Sequence, residues 1–221
     1  TTINAVLFPA MSKLQDDKEG VKRAIRRSMM TSSYVMFPLL FILAATADKV
    51  VLVLLTEKWM PCVPFMRVLC IGHCMTVLSA ANIQAVNAVG RSDITLKLEF
   101  IKKPFYVVAI CFAMFISPFA IAVANVLYGF VGVLLNTWPN KKLVNYKFAE
   151  QLSDIRPQLL LSLAVAAVAY LVGLFEMNCY LLLGIQLVVG FGLYWLASKK
   201  LSLESYTYIV STVKSFRNKN S

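Results

Sequence analysis

"VPFMRVLCIGHCMTVLSAANIQAVNAV", residues Val63 to Val89, carries a single charge, Arg67, in 27 residues. As a helix rising about 1.5 Å per residue it is about 40 Å long, more than the ~30 Å hydrocarbon core of a bilayer. A segment of that length and polarity belongs in lipid. The whole chain agrees: its 221 residues are 59% hydrophobic and 15% charged, with a mean hydropathy of +0.70, whereas about a quarter of an ordinary soluble domain is charged. The same length test selects Met30–Ala47, Leu96–Ile116, Phe119–Trp138, Leu159–Leu174 and Cys179–Ala197 as further spans. The expected fold class is all-α, a polytopic transmembrane helix bundle of about six spans within residues 29–198. In the third span Lys97, Glu99, Lys102 and Lys103 precede Pro104. Its first turns are therefore expected at the interface, with the long side chains snorkelling outward and Pro104 kinking or starting the buried part.

Charge sets the orientation. Ser12–Ser28, Gly90–Lys103, Pro139–Pro157 and Lys199–Ser221 hold six, four, four and five of the 22 Lys and Arg, while Lys49 and Lys58 lie in the alternate connections and Arg67 within a span. Basic residues retained in short loops mark the cytoplasm, so these four segments share the inner side and the net charge of +11 reflects topology. Cations spread over four loops, without interleaved aromatics, do not form a nucleic-acid face. Residues 12–28 read as a cytoplasmic amphipathic loop. Asp16 and Glu19 resemble a capping box, and Val21, Ala24, Ile25, Ser28 and Met29 share one less polar face. That face is expected along the headgroups, with Lys22, Arg23, Arg26 and Arg27 on lipid phosphates, each contact being worth about 1 kcal/mol. Residues 199–221 repeat the pattern as a cytoplasmic amphipathic tail, with Tyr206, Ile209, Val210, Val213 and Phe216 at helical spacing. The opening, "TTINAVLFPAM", has no basic n-region and no cleavage site. Residues 1–11 are expected to end a preceding transmembrane helix, and the chain to be the C-terminal part of a longer polypeptide.

Catalytic patterns are missing. The single histidine, His73, has no Asp five residues on, and the sequence contains no Gly-x-Ser-x-Gly elbow, P-loop or His-Glu-x-x-His. The five cysteines lie in or at the edge of apolar runs and read as small buried residues. Cys70, His73 and Cys74 lack an evident fourth ligand, so neither a metal nor a cofactor is expected. What remains is polarity at membrane depth. At about 100° per residue His73, Thr76, Gln84 and Asn87 form one stripe, joined by Asn125 and Asn136 in the fourth span and Gln186 in the sixth. Such groups face other helices or a wet cavity, and interhelical hydrogen bonding accounts for them about as well as cavity lining. Several helices without a catalytic set point to transport.

Four further pieces carry a resemblance: "VLFPAMSKLQDD" (6–17), "TADKVVLVLLTEKWMPCVPFMRVLCIG" (46–72), "NAVGRSD" (87–93) and "LNTWPNKKLVNYKFAEQLSDIRPQLLLSL" (135–163). In order and spacing they resemble the C-terminal half of Wzx-type lipopolysaccharide or O-antigen flippases, of the multidrug/oligosaccharidyl-lipid/polysaccharide exporter superfamily. The resemblance implies a lobe of about six helices that packs on an N-terminal lobe of the same polypeptide in the bacterial inner membrane. It also implies a cavity open alternately to each side and a cargo of undecaprenyl-pyrophosphate-linked oligosaccharide. The substrate-binding candidates are then Arg67, His73, Thr76, Gln84, Asn87 and Asn125. Arg67, about 6 Å deep from the start of its span, has two fates: an outer headgroup anchor or a bidentate partner of pyrophosphate. A drug or ion antiporter of the same superfamily and an integral-membrane glycosyltransferase remain as alternatives.

Overall fold

A computed structural model describes residues 17–175 and 177–219, and these are helical, with no strand among them. The helices are α1 (Lys18–Ala45), α2 (Ala47–Leu54), α3 (Val63–Ala88), α4 (Ser92–Met114), α5 (Pro118–Leu143), α6 (Phe148–Val172), α7 (Cys179–Lys200) and α8 (Glu204–Lys219), with a 3-10 segment over Glu57–Cys62. Local chemistry fixes their ends. Asp17 accepts from the Gly20 amide at 2.9 Å and so opens α1, one residue after the expected Asp16, which lies outside the described residues. Gly90, at φ +77°, ends α3: the Arg91 amide bonds back to Val86 and the Gly90 amide to Asn87, the paired bonds of a left-handed cap that favours glycine. Ser117 caps α5 by accepting from Ala120 at 3.1 Å, with Pro118 in the first turn, where no donor is lost. Arg91 holds both carboxylate oxygens of Asp93, at 2.9 and 3.2 Å, and the hydrogen bonds hold that carboxyl below its ordinary range.

Five segments are long and apolar enough to cross a membrane: Lys18–Ala45, Glu57–Ala88, Pro118–Leu143, Phe148–Val172 and Cys179–Lys200. The expected third span forms as α4, but every 18-residue window of it contains Lys97, Glu99, Lys102 and Lys103. It therefore fails by composition while matching its neighbours in length. The expected outward snorkelling also fails at one residue, because Lys102 is 5% exposed. α4 continues through Pro104 as helix. Residues 1–11 lie outside the described residues. The segment expected as a separate amphipathic loop is instead continuous with the first span, as one helix of 28 residues.

The chain divides into two compact units. The first takes the described residues up to Met29 together with Val68–Asp154, and the second Met30–Arg67 with the chain from Ile155. In the first unit Val21, Ile25 and Met29 are fully buried, so this face of α1 packs on protein and not on headgroups. Lys22 pairs with Glu150 at 3.1 Å and Arg26 with Asp154 at 2.9 Å, while Arg23 lies 3.7 Å from Asp17. Tyr146, 1% exposed, donates to Asp154 at 2.6 Å; burial, and then this bond, push its phenol up. Of the four cations expected on lipid phosphate, Lys22, Arg23 and Arg26 thus have protein carboxylates as partners, with Arg23 and Arg27 exposed.

The second unit is centred on Ile42, Val165 and Tyr194, with Tyr34, Leu161 and Leu187 against them. Tyr194 donates to the Tyr34 carbonyl at 2.9 Å, and their rings are 5.1 Å apart. A Cβ on Gly190 would come within 3.1 Å of Ile42, so glycine there allows α7 and α1 to approach. Ser33, Ser162 and Ser198, all fully buried, are the small residues that close helix packing in lipid requires. Orientation is testable on this frame. In a cysteine-free full-length protein, Thr56→Cys is expected to label with an impermeant maleimide in intact cells and Ser92→Cys only after permeabilisation. The opposite pattern would invert the topology.

Candidate functional site

Three helix faces line a cavity in the first unit that carries polar side chains on a largely apolar wall. α3 supplies Leu69, Gly72, His73, Met75, Thr76, Ser79 and Ile83, α4 supplies Glu99 and Lys102, and α5 supplies Asn125, Val126, Tyr128, Gly129, Gly132 and Asn136. The volume is about 250 Å³. Steps of three and four along each helix put these residues on one face, which is why three helical stripes meet. Lys102 is the eleventh of the 23 residues of α4, about 15 Å from its start. Its ammonium is held by the Glu99 carboxylate and by Asn136 Oδ1 at 2.9 Å, and Asn136 Nδ2 in turn donates to Ser79. A buried ammonium is costly unless paired and hydrogen-bonded, and here it is both. The glycines differ in role: a Cβ on Gly72 would come within 2.6 Å of Val126, so glycine there lets α3 and α5 approach. A Cβ added at Gly132 would meet nothing within 4 Å. Near the cavity Asn125 Nδ2 donates to the Tyr106 hydroxyl at 3.0 Å, and the Tyr106 and Tyr128 rings are 4.4 Å apart, tilted by 41°.

The structure brings His73, Thr76 and Asn125 together at this cavity. Gln84 is half-buried on α3 but is not part of the lining, and Asn87 accepts from Thr95 at 2.9 Å across the α3–α4 turn. Arg67 belongs to the second unit. Its Nε donates to the Ala44 carbonyl in the last turn of α1 at 3.2 Å, and its guanidinium lies 3.6 Å from Asp48, beside a separate cavity lined also by Tyr170 and Gln186. A cation on a C-terminal carbonyl meets the negative end of that helix. Cys70 and Cys74 are buried one turn apart, whereas His73 is exposed toward the cavity.

Sequence reasoning missed Glu99 and Lys102 by placing them at the interface. Their opposite charges, three residues apart between Leu98, Phe100 and Ile101, are the signal that was available: such a pair is self-neutralising and can be buried. It also missed the tightest polar cluster. Asn82, fully buried, donates to Gln151 Oε1 at 2.9 Å and Thr137 at 3.2 Å, and its own oxygen accepts from Asn140 and Gln151, both at 2.8 Å. Four side chains of α3, α5 and α6 thus close one network beside the cavity wall.

The comparisons with known proteins agree with this architecture. A family described as "Polysaccharide biosynthesis protein" matches residues 1–64. A membrane protein of the cps region of Klebsiella pneumoniae is 33% identical over 100 residues, covering 45% of this chain and 21% of its own length. The lipopolysaccharide biosynthesis protein WzxC of Escherichia coli K12 is 28% identical over 108 residues, covering 49% and 22%. The chain thus spans about a fifth of the length of these curated relatives. Among solved structures, the lipid II flippase MurJ in an inward closed conformation superposes with a TM-score of 0.73 over 90% of this chain and 42% of its own, at 17% identity. The chain is thus similar in sequence to proteins of polysaccharide and lipopolysaccharide biosynthesis, and it shares the helical fold of a lipid II flippase.

Proposed function

We propose that this chain is one lobe of a flippase that moves a lipid-linked oligosaccharide across the bacterial cytoplasmic membrane by alternating access. It would work with an N-terminal lobe of the same polypeptide and with membrane lipid around both. The observation that carries the reading is a cavity with a charge-balanced Lys102–Glu99 pair and neutral polar side chains halfway along helices of a flippase fold. A sugar chain and a pyrophosphate cannot enter hydrocarbon bare, whereas a polyprenyl tail stays in lipid, so the protein need shelter only the head group. Rocking of two lobes about such a shelter moves the head without moving the tail through protein. The polar side chains of the cavity serve binding and not bond-breaking: Glu99, its one carboxylate, is engaged by Lys102, and no second acid faces it.

Reconstitution tests this. Full-length protein in proteoliposomes is expected to transfer a fluorescent undecaprenyl-pyrophosphate oligosaccharide between leaflets, and residues 1–221 alone are expected to insert without transferring it. Absence of transfer by the full-length protein would sink the reading. Exchange of small cations in its place would favour the antiporter, and extension of the sugar chain the glycosyltransferase.

A further inference from the structure

Resting on the flippase reading, the geometry points to a more specific role for the α3–α4–α5 cavity: we propose that it receives one uncharged sugar ring of the cargo and excludes its anionic groups. Size is the first argument. At about 250 Å³ the cavity is smaller than the ~300–1,000 Å³ of sites for drug-sized ligands, so it admits one ring and not a chain.

Charge is the second argument. The fixed charges facing the cavity are Lys102 and Glu99, which cancel. An arriving carboxylate or phosphate would have to compete with Glu99 for the ammonium and would remain beside it, a like-charge contact made costly by the low dielectric around a 5% exposed lysine. A hydroxyl group meets no such penalty, because it both donates and accepts. It can give a proton to the carboxylate and take one from an amide or ammonium without separating the pair. Thr76, Ser79, Asn125 and Asn136 supply neutral partners of both kinds. Tyr128 supplies an apolar ring face against which the C–H face of a pyranose can lie.

Gly132 gives the test that leaves the framework standing. It lies in the cavity wall with free space where a side chain would project, so Gly132→Leu should plug the cavity, and Gly132→Ala should narrow it, while each removes a helix-interior glycine. Full-length protein in nanodiscs would be titrated with methyl β-glucopyranoside and with the corresponding methyl glucuronide, read by saturation-transfer NMR. Thermal melting would verify that each variant is folded. The expected result is a signal for the neutral glycoside at least fivefold above that for the glucuronide, falling at least fivefold in Gly132→Leu and Tyr128→Ala and partly in Gly132→Ala. An equal or stronger glucuronide signal would overturn the proposal, and so would a neutral signal that folded Gly132→Leu or Gly132→Ala leaves unchanged. The transport assay separates the two claims. Transfer of lipid-linked oligosaccharide by a protein whose glycoside signal ignores Gly132 would keep the flippase and discard the subsite. A Gly132-dependent signal without transfer would do the reverse.

Discussion

Full-length protein carrying Asn82→Leu is expected to melt about 5–15 °C below the unsubstituted protein, the largest loss from any single neutral side chain in the first unit. Leucine keeps asparagine's branched arrangement of four side-chain heavy atoms, so the loss is mainly one of hydrogen bonding, with some crowding added by its greater bulk. Removing Asn82 strands Gln151 Nε2 and takes one partner each from Asn140 and Thr137, which keep the main-chain carbonyl of residue 82 and the Val133 carbonyl, in a region where Asn82, Asn140 and Gln151 are fully buried. Each stranded group costs about 1–3 kcal/mol in a protein core, though interhelical bonds between membrane helices average nearer 0.6 kcal/mol. A summed loss of about 2–4 kcal/mol follows. Asn125→Leu is the comparison: its amide holds only the Tyr106 hydroxyl at an exposed site, and its melting should move by a quarter as much or less. Equal shifts for the two variants would show that the buried network carries no special weight.

The second expectation is an inversion of the usual order of single and double substitutions. Glu99→Leu leaves the Lys102 ammonium buried with Asn136 alone, and breaking a buried pair from one side typically costs about 3–5 kcal/mol. Lys102→Met should cost less, because the Glu99 side chain is 31% exposed and can recover some hydration. The double variant Glu99→Leu/Lys102→Met places neither charge in the site, and its folded yield and melting temperature should exceed those of Glu99→Leu. A coupling of about 2 kcal/mol is expected from the four-way cycle, within the range seen for residues in direct contact. Additive losses would mean that the two charges are solvated independently. Transport should not recover with stability in the double variant, since the hydroxyl-binding pair is then gone.

Much of the fold was legible because lipid imposes a simple length rule. Val63–Val89 and Cys179–Ala197 were delimited within a few residues of α3 and α7 because an apolar run in a bilayer must also be a helix. α5 and α6 run past the apolar segments, ending at Leu143 and beginning at Phe148, because polar turns such as Pro139–Lys142 extend a helix once it has been nucleated in lipid. The site was less legible. Periodicity found the stripe that holds His73 and Thr76, but it cannot say which neighbouring helix lies opposite, so Gln84 and Asn87 were grouped with them. Lys102 was misread for a related reason. Composition treats a cation in an apolar helix as an interfacial residue, and only tertiary contact with Asn136 and Glu99 shows how it can be buried.

That burial has a consequence for biogenesis. A lysine or an acid near the middle of a nascent segment raises its insertion free energy by about 2.5–3.5 kcal/mol on the translocon scale, and α4 carries several such residues. As an isolated segment leaving the ribosome, α4 is a poor candidate for transfer into lipid. α5, the most apolar of the five spanning candidates at a mean hydropathy of 2.0, follows after a turn of three residues and brings Asn136 with it. The two helices are therefore expected to enter the bilayer as a hairpin. The lysine that shapes the cavity makes the residence of one helix in the membrane conditional on the arrival of the next.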